Sequence, residues 1–543
     1  MWRQEYTPLG GSLALSALAA ALPLFVLLYL LGVKRKPAWV AALCGLGAAV
    51  LPAIFVYGMP VKLVASASLY GAAFGLFPIC WILFWAIYLY RLSVETGRFE
   101  IVKDSIGGIT QDRRLQALLI AFAFGAFVEG AAGFGAPVAV AAAMLTGLGF
   151  SPFYSAAVCL LANTAPVAFG SIGIPVITLA GITGLPVGQL SAAVGRICAP
   201  VSVLIPTYLI FVMGGWTAFR GVAGAAIAVG AAFAGAQFYA SNYIGPELTD
   251  ILGSLAAIGA ALIMSKLWKP ANHFTFEGAA HEAHLPPKHA AKDVAMAWLP
   301  YALLVVCVLL WGKADFKAWL NLRTVAFDWP ALHNTIEQAP PVVAAVKPYA
   351  ARYTFNWLSA SGTACLVSVL LSLLLLRVKP SVAWKVYLTT SGQLIKPALT
   401  VASVLGLAFL MNYSGATGTL GLAFAATGAA FPFFSALLGW LGVFLTGSDT
   451  SANALFGNLQ VVTANKLGLN PVLMAASNSS GGVMGKMISL QSIAVAAAAT
   501  GMKPEEESKL FRFTLRHSIV LASLIGLVVL FYAYVMPQWA PGA

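Results

Sequence analysis

Apolar runs of about twenty residues follow one another along nearly the whole chain, parted by short polar or basic stretches. A run of that length crosses the roughly 30 Å hydrocarbon core of a bilayer as a helix. The pattern predicts spans near 11–33, 38–57, 70–91, 115–149 (interrupted), 151–181 (interrupted), 195–213, 219–240 and 249–267, and then near 294–312, 356–376, 395–413, 419–446, 450–501 (interrupted) and 517–536. With re-entrant pieces allowed for, this is an all-α polytopic membrane protein of roughly 12 to 14 transmembrane helices. The runs lack the dyad alternation of an outer-membrane barrel. The stretch 11–33 is too long for a signal-peptide core and ends in Lys34-Arg35-Lys36-Pro37, so it reads as a retained first helix.

Two acids interrupt this pattern. Glu129 lies in GAFVEGAAGFGAP (125–137) and Asp449 in GVFLTGSDTSANALFG (442–457). An ionisable side chain at membrane depth costs roughly 2.5–3.5 kcal/mol on insertion scales and marks a functional site by default. The glycines and proline around Glu129 weaken a helix, and such backbone survives at that depth only inside protein or beside a watery cavity. The structural alternatives are a buried acid serving helix packing at Glu129 and a helix cap at Asp449, where Thr446, Ser448, Thr450, Ser451 and Asn453 crowd one stretch.

Three landmarks recur in order. SVETG (93–97) resembles SGATG (414–418), Gly125-to-Gly130 resembles Gly442-to-Gly447, and NTAPVAFGSIGIP (163–175) resembles NSSGGVMGKMISL (478–490). Loop charge sets the orientation under the positive-inside rule. Lys34–Lys36, the Arg91–Arg114 basics, Lys266–Lys292 and Arg377–Lys385 mark cytoplasmic loops, which leaves 313–355 and both termini external. SVETG then falls inside and SGATG outside, so the repeats carry inverted topology, the plan of secondary transporters with substrate at the midplane. The predicted organisation is an amino-terminal membrane half over 1–267 with a first repeat at about 70–213, a cytoplasmic loop 268–293, a linking span 294–312, the external loop, and a carboxyl-terminal half over 356–543 with a second repeat at about 395–536.

Composition narrows the chemistry. Of 543 residues, 60% are hydrophobic and only 9% charged, against roughly 25% charged in soluble domains. The net charge of +13 sits in short loops beside spans, so it reports topology and not a nucleic-acid partner. The cysteines stand singly, with no CxxC spacing. His273, His281, His284 and His289 share a loop with Glu277 and Glu282 at spacings that fit no zinc site. No phosphate-binding glycine loop appears, which argues against ATP as the driving force, and no cofactor is implied.

Candidate contacts for a small anion follow. Asn163, Thr164, Asn478 and Ser479 precede or interrupt helical runs with Pro or Gly close behind, and free N–H groups at half-helix amino termini suit a carboxylate. Thr450 and Ser451 supply hydroxyls. Lys486 is the lysine of the apolar stretch 470–501, placed to neutralise a carboxylate or to snorkel. Arg196 and Lys396 read as interface anchors.

The chain resembles the bacterial L-lactate permease family along essentially its full length, through GAFVEGAAGFGAPVA (125–139), NTAPVAFGSIGIP (163–175), GWLGVFLTGSDTSANALF (439–456), GGVMGKMIS (481–489) and LFRFTLRHS (510–518). That resemblance implies proton-coupled import of L-lactate, with glycolate and D-lactate as further substrates, across the cytoplasmic membrane. It also implies a wider ion-transporter superfamily with inverted repeats, re-entrant hairpins and an elevator motion. Ile488-Ser489-Leu490-Gln491-Ser492 lacks a proline that the resemblance leads one to expect, which puts the local helix break in doubt. In this reading one or both of Glu129 and Asp449 exchange the proton, while Asn163, Thr164, Thr450, Ser451, Asn478, Ser479 and Lys486 hold the small monocarboxylate. Sodium coupling, a membrane enzyme with Glu129 and Asp449 as acid and base, and a sensor without transport stand as alternatives.

Overall fold

The structure is a computed structural model that describes residues 1–133, 135–267 and 287–542. His273, His281, His284, Glu277 and Glu282 lie outside the described residues, as does most of the predicted 268–293 loop. His289 is described and pairs with Asp104 at 2.7 Å.

The first half comprises α1 (Leu13–Val33), α2 (Ala38–Phe55), α3 (Val61–Glu95), α4 (Arg98–Gly107), α5 (Arg113–Ala131), α6 (Ala136–Gly147), α7 (Pro152–Ala162), α8 (Val167–Thr183), α9 (Val187–Tyr243) and α10 (Pro246–Leu267). The second comprises α11 (Ala291–Gly312), α12 (Ala314–Asn321), α13 (Ser361–Leu375), α14 (Pro380–Ser414), α15 (Ala416–Thr446), α16 (Asp449–Leu467), α17 (Pro471–Lys486), α18 (Leu490–Thr500) and α19 (Pro504–Tyr534). Among the described residues, eleven helices are long and apolar enough to cross a membrane, or twelve if α7 and α8, bent by 62°, form one span.

One helix in that count holds two crossings. The 57 residues of α9 would reach about 86 Å if straight, nearly three times the hydrocarbon thickness. Non-helical backbone at Gly214, Gly215 (φ +64°) and Val222 turns it back on itself. Ser202 then donates to Gln237 at 2.8 Å, and Ser191 to the Ser241 carbonyl at 2.8 Å. The two arms match the spans expected near 195–213 and 219–240.

The 313–355 segment adds a strand element that the helical pattern did not forecast. β1 (Trp2–Arg3) lies parallel to β3 (Ile336–Gln338), which pairs with β4 (Lys347–Pro348), while β2 (Val325–Asp328) runs antiparallel to β5 (Arg352–Phe355). These strands are too short for a strong alternation signal. They tie the amino terminus to 313–355. Lys466, at the end of α16, lines a cleft with Arg3, Gln4 and Glu5, and Asn470 donates to the Pro541 carbonyl at 3.2 Å. Both termini and 313–355 therefore share one side of the molecule.

α14 joins the two repeat landmarks at opposite ends. Near its start Lys385 pairs with Glu95, beside the left-handed Gly97; at its other end Gly415 (φ +90°) packs on the Glu5 carbonyl. Burial differs sharply between helices. The hydrophobic window of α5 is wholly enclosed by protein, whereas that of α1 is 28% buried and faces outward. Arg113 and Arg114, counted as loop charges from sequence, are buried at the start of α5, with Arg114 on Asp112 at 2.7 Å and on the Ala218 carbonyl at 3.2 Å.

Candidate transport site

Glu129 lies in the last turn of α5, 5% exposed, where the helix ends at Ala131. Gly133 (φ +61°) and Gly135 (φ +85°) carry the chain through left-handed backbone into α6. Ser171 donates to the Ala132 carbonyl at 2.6 Å and so satisfies an acceptor freed by the break. Ser171 itself opens a run of three left-handed residues with Ile172 and Gly173 at φ +47°, +60° and +74°. That geometry costs roughly 1–2 kcal/mol at each non-glycine position. A Cβ at Gly170 would stand 2.5 Å from Glu129 Oε1, so the glycine makes room for the carboxylate. Oε2 is buried without a hydrogen-bond partner.

The second break stands between α15 and α16. Gly447 (φ +71°) ends α15, and Ser448 caps α16 by accepting from Ser451 N at 3.3 Å. Asp449 is thus not the cap; it is the first residue inside the helix, where the dipole favours an acid. Its Oδ2 accepts from Ser479 Oγ at 2.5 Å and from Asn453 Nδ2 at 3.3 Å, while Oδ1 has no partner. Asn453 Nδ2 also reaches the Pro175 carbonyl at 3.2 Å, which ties the second half to the broken α8 of the first. Lys486 Nζ donates to the Gly447 carbonyl at 2.6 Å, capping α15.

These pieces converge on one cavity of about 250 Å³, lined from the first half by Glu129, Gly170 and Ser171, and from the second by Asp449, Thr450, Ser451 and Lys486. Lys486 interacts electrostatically with both acids. Among the described residues neither acid lies within ion-pair distance of it. The N–H groups of Asp449 and Thr450 find no acceptor among the described residues, which leaves the positive end of α16 facing the cavity. The mouth is bounded by Ala38, Trp39 and the exposed Lys396. Lys396, read from the sequence as an interface anchor, therefore belongs to the cavity rim.

The remaining candidates lie nearby but do not line the cavity. Ser479 acts through Asp449. Asn478 donates to Asn453 Oδ1 at 2.9 Å and accepts from Gln460 at 3.1 Å. Thr164 bonds the Leu161 carbonyl at 2.8 Å, and Asn163, at the carboxyl end of α7, is buried with both side-chain polar atoms unpartnered. Asn163 therefore does not stand at a half-helix amino terminus, and Asn478–Ser480 do not interrupt a helix, because α17 is continuous. Its glycines serve close packing instead: a Cβ at Gly481 would fall 2.0 Å from the Ala436 carbonyl, and one at Gly485 2.3 Å from that of Trp440. Despite the missing proline, a break stands at 487–489, where Ser489 caps α18 by accepting from Ser492 N at 3.2 Å. Trp39 and Ser171 escaped sequence reading, since neither residue type is unusual in an apolar run.

A cavity that draws ionisable groups from both halves of a multi-span helical protein is the candidate site of a membrane transport protein. The chain belongs to the L-lactate permease family, whose profile matches residues 16–536. It is 44% identical to the L-lactate permease of Bacillus subtilis (strain 168), over 99% of this chain and 100% of that one. It is 44% identical to the glycolate permease GlcA of Escherichia coli (strain K12), over 98% of each. It is 42% identical to the L-lactate permease of the same strain, over 100% of both. A solved transporter, YdaH of Alcanivorax borkumensis, shares 14% identity over 87% of each chain at a TM-score of 0.44, too distant a likeness to argue from.

Proposed function

We propose that the protein imports L-lactate, with glycolate and D-lactate as further substrates, across the cytoplasmic membrane by proton symport. The observation that carries this reading is the meeting of Glu129, Asp449 and Lys486 on one cavity built by both halves. Relatives over the full length named for L-lactate and glycolate support the substrate class.

In this mechanism the substrate carboxylate takes the two Lys486 N–H donors left after the Gly447 bond, together with the free N–H groups that open α16. Thr450 and Ser451 hydroxyls meet the 2-hydroxyl. Glu129, whose Oε2 is unpartnered, carries the proton, and the substrate anion is then neutralised along with its carrier. The repeats around Glu129 and Asp449 have inverted topology, a reading supported by the Gly97 and Gly415 landmarks at opposite ends of α14. Basic Lys34–Lys36 lead into Ala38 and Trp39 at the mouth, so the positive-inside rule places the opening toward the cytoplasm and both termini outside.

The test is uptake of radiolabelled L-lactate into proteoliposomes under an inward proton gradient without sodium. Accumulation that a protonophore abolishes is the expected result. Uptake that needs sodium, or that ignores the protonophore, refutes proton symport.

A further inference from the structure

A third carboxylate lies against Glu129, off the cavity. Asp250, near the start of α10, is 1% exposed, and neither of its carboxylate oxygens has a hydrogen-bond partner. It does not line the cavity. A Cβ at Gly130 would stand 2.8 Å from the Asp250 Cβ and 3.2 Å from Ile251 N. The glycine beside Glu129 is thus what lets α10 bring its acid against α5. The titratable groups that face Asp250 are Glu129 on α5 and Cys198 on α9; no cation among the described residues pairs with it. Glu129 accordingly lies within electrostatic reach of both Asp250 and Lys486.

Glu247 precedes Asp250 by three residues, in the 3-10 turn Pro246–Leu248 that opens α10. Residues three apart on such a turn lie on the same side. Glu247 is half-buried, and its Oε1 accepts from Ser361 Oγ at 2.9 Å at the start of α13. Ser361 lies six residues beyond the 313–355 segment, on the side of the molecule that carries both termini. The cavity mouth, at Ala38 and Trp39, lies at the other end of the fold. Glu247 is thus partly exposed, Asp250 one turn further along α10 is sealed in the interior, and Glu129 lines the cavity.

A structural acid at such depth is normally held by hydrogen bonds, and Asp250 has none. A buried carboxylate without a partner is far too costly as an anion and carries a proton instead. We propose that Asp250 is a second proton-carrying residue, passing protons from the Glu247 surface to Glu129 behind the substrate cavity. The two carboxyl groups share no hydrogen bond, so a water molecule bridges each transfer. It gives a proton to Glu129 as it takes one from Asp250, so the Asp250 O–H bond breaks as the Glu129 O–H bond forms. A proton entering past Glu247 restores Asp250. Two adjacent acids cannot both ionise cheaply, so the relay moves when Glu129 has given up its proton. Substrate and proton then use different faces of the protein. This inference rests on the symport reading and deepens it.

The test compares wild-type protein with Asp250→Asn and Asp250→Glu in proteoliposomes. Two rates are read: L-lactate uptake driven by an imposed pH gradient, and exchange of labelled for unlabelled lactate at equal pH. Asp250→Asn is expected to lose gradient-driven uptake by about a hundredfold, the low end for a positioned proton-transfer group. Exchange is expected to change far less, and Asp250→Glu to restore the response to the gradient. Gradient-driven uptake by Asp250→Asn at the wild-type rate overturns the relay. So does a loss of both activities that Asp250→Glu fails to rescue, the mark of a packing role. Wild-type uptake indifferent to a protonophore sinks the symport reading itself, and is distinguishable because it needs no variant.

Discussion

Asp449 and Glu129 occupy like positions in the two halves, each at a glycine-marked break and each on the same cavity, yet their carboxylates are held differently. Asp449 is fastened: Ser479 and Asn453 donate to one oxygen, and Asn453 continues to the Pro175 carbonyl and to Asn478. Glu129 is cleared more than fastened, with the Asn163 amide beside it. Glycines at 133 and 170 open space around it, and Oε2 has no donor. Donors that point at a carboxylate stabilise its ionised form, whereas burial without donors favours the neutral acid. Two buried acids in matching breaks are thus suited to two roles. In the proposed mechanism Asp449 orders the floor of the site and the positive end of α16, and Glu129 gains and loses the proton.

Exchanging the acids for their amides breaks this comparison most directly. Glu129→Gln is expected to lower gradient-driven lactate uptake by about a hundredfold or more, as for a proton-transfer group, while lactate exchange at equal pH persists; equal loss in both assays would put Glu129 in the same role as Asp449. Next in size, Lys486→Met removes the donor to Gly447 and to the substrate. Hydrogen bonds to charged groups are worth about 1.5–3 kcal/mol, which converts to a KM raised roughly 10- to 150-fold. An unchanged KM would return Lys486 to a purely structural cap.

Ser479→Ala sharpens the contrast on the fastened side. Loss of one donor to Asp449 is expected to raise KM by roughly tenfold and leave the dependence on the proton gradient intact, as a titration of uptake against external pH would show. The smallest effects test the cleared side. Gly170→Ala places a Cβ 2.5 Å from Glu129 Oε1, and overpacking of that kind costs about 1–3 kcal/mol, so uptake is expected to fall severalfold. Gly188→Ala, where a Cβ meets nothing within 4 Å, is expected to leave uptake unchanged. Similar losses in the two glycine variants would show that room beside Glu129 is not what matters.

Glu129, Asp449 and Lys486 were legible in the sequence because ionisable groups are rare in apolar runs, and each of them reached the cavity. Asp250 belongs to the same class of signal but was hidden by position. It follows Glu247 at the head of a span, where acids ordinarily sit in water. The glycines of α17 misled for the opposite reason. Glycine weakens a lone helix, but against α15 the same residues permit backbone contact that holds the helix together. Asn478 consequently entered a hydrogen-bonded ladder in place of a helix terminus.

The membrane class, the span positions, the shared side of the two termini and the pair of acids were determined by the sequence alone, because hydrocarbon thickness and the cost of buried charge act on local composition. Which polar atoms face the cavity was decided only by the tertiary structure. That choice depends on close approach between distant segments: α10 on Gly130, Asn453 on the Pro175 carbonyl, and Lys486 on Gly447. A hydrogen bond acts over about 3 Å, and no spacing along the chain reports which partner will arrive within that range.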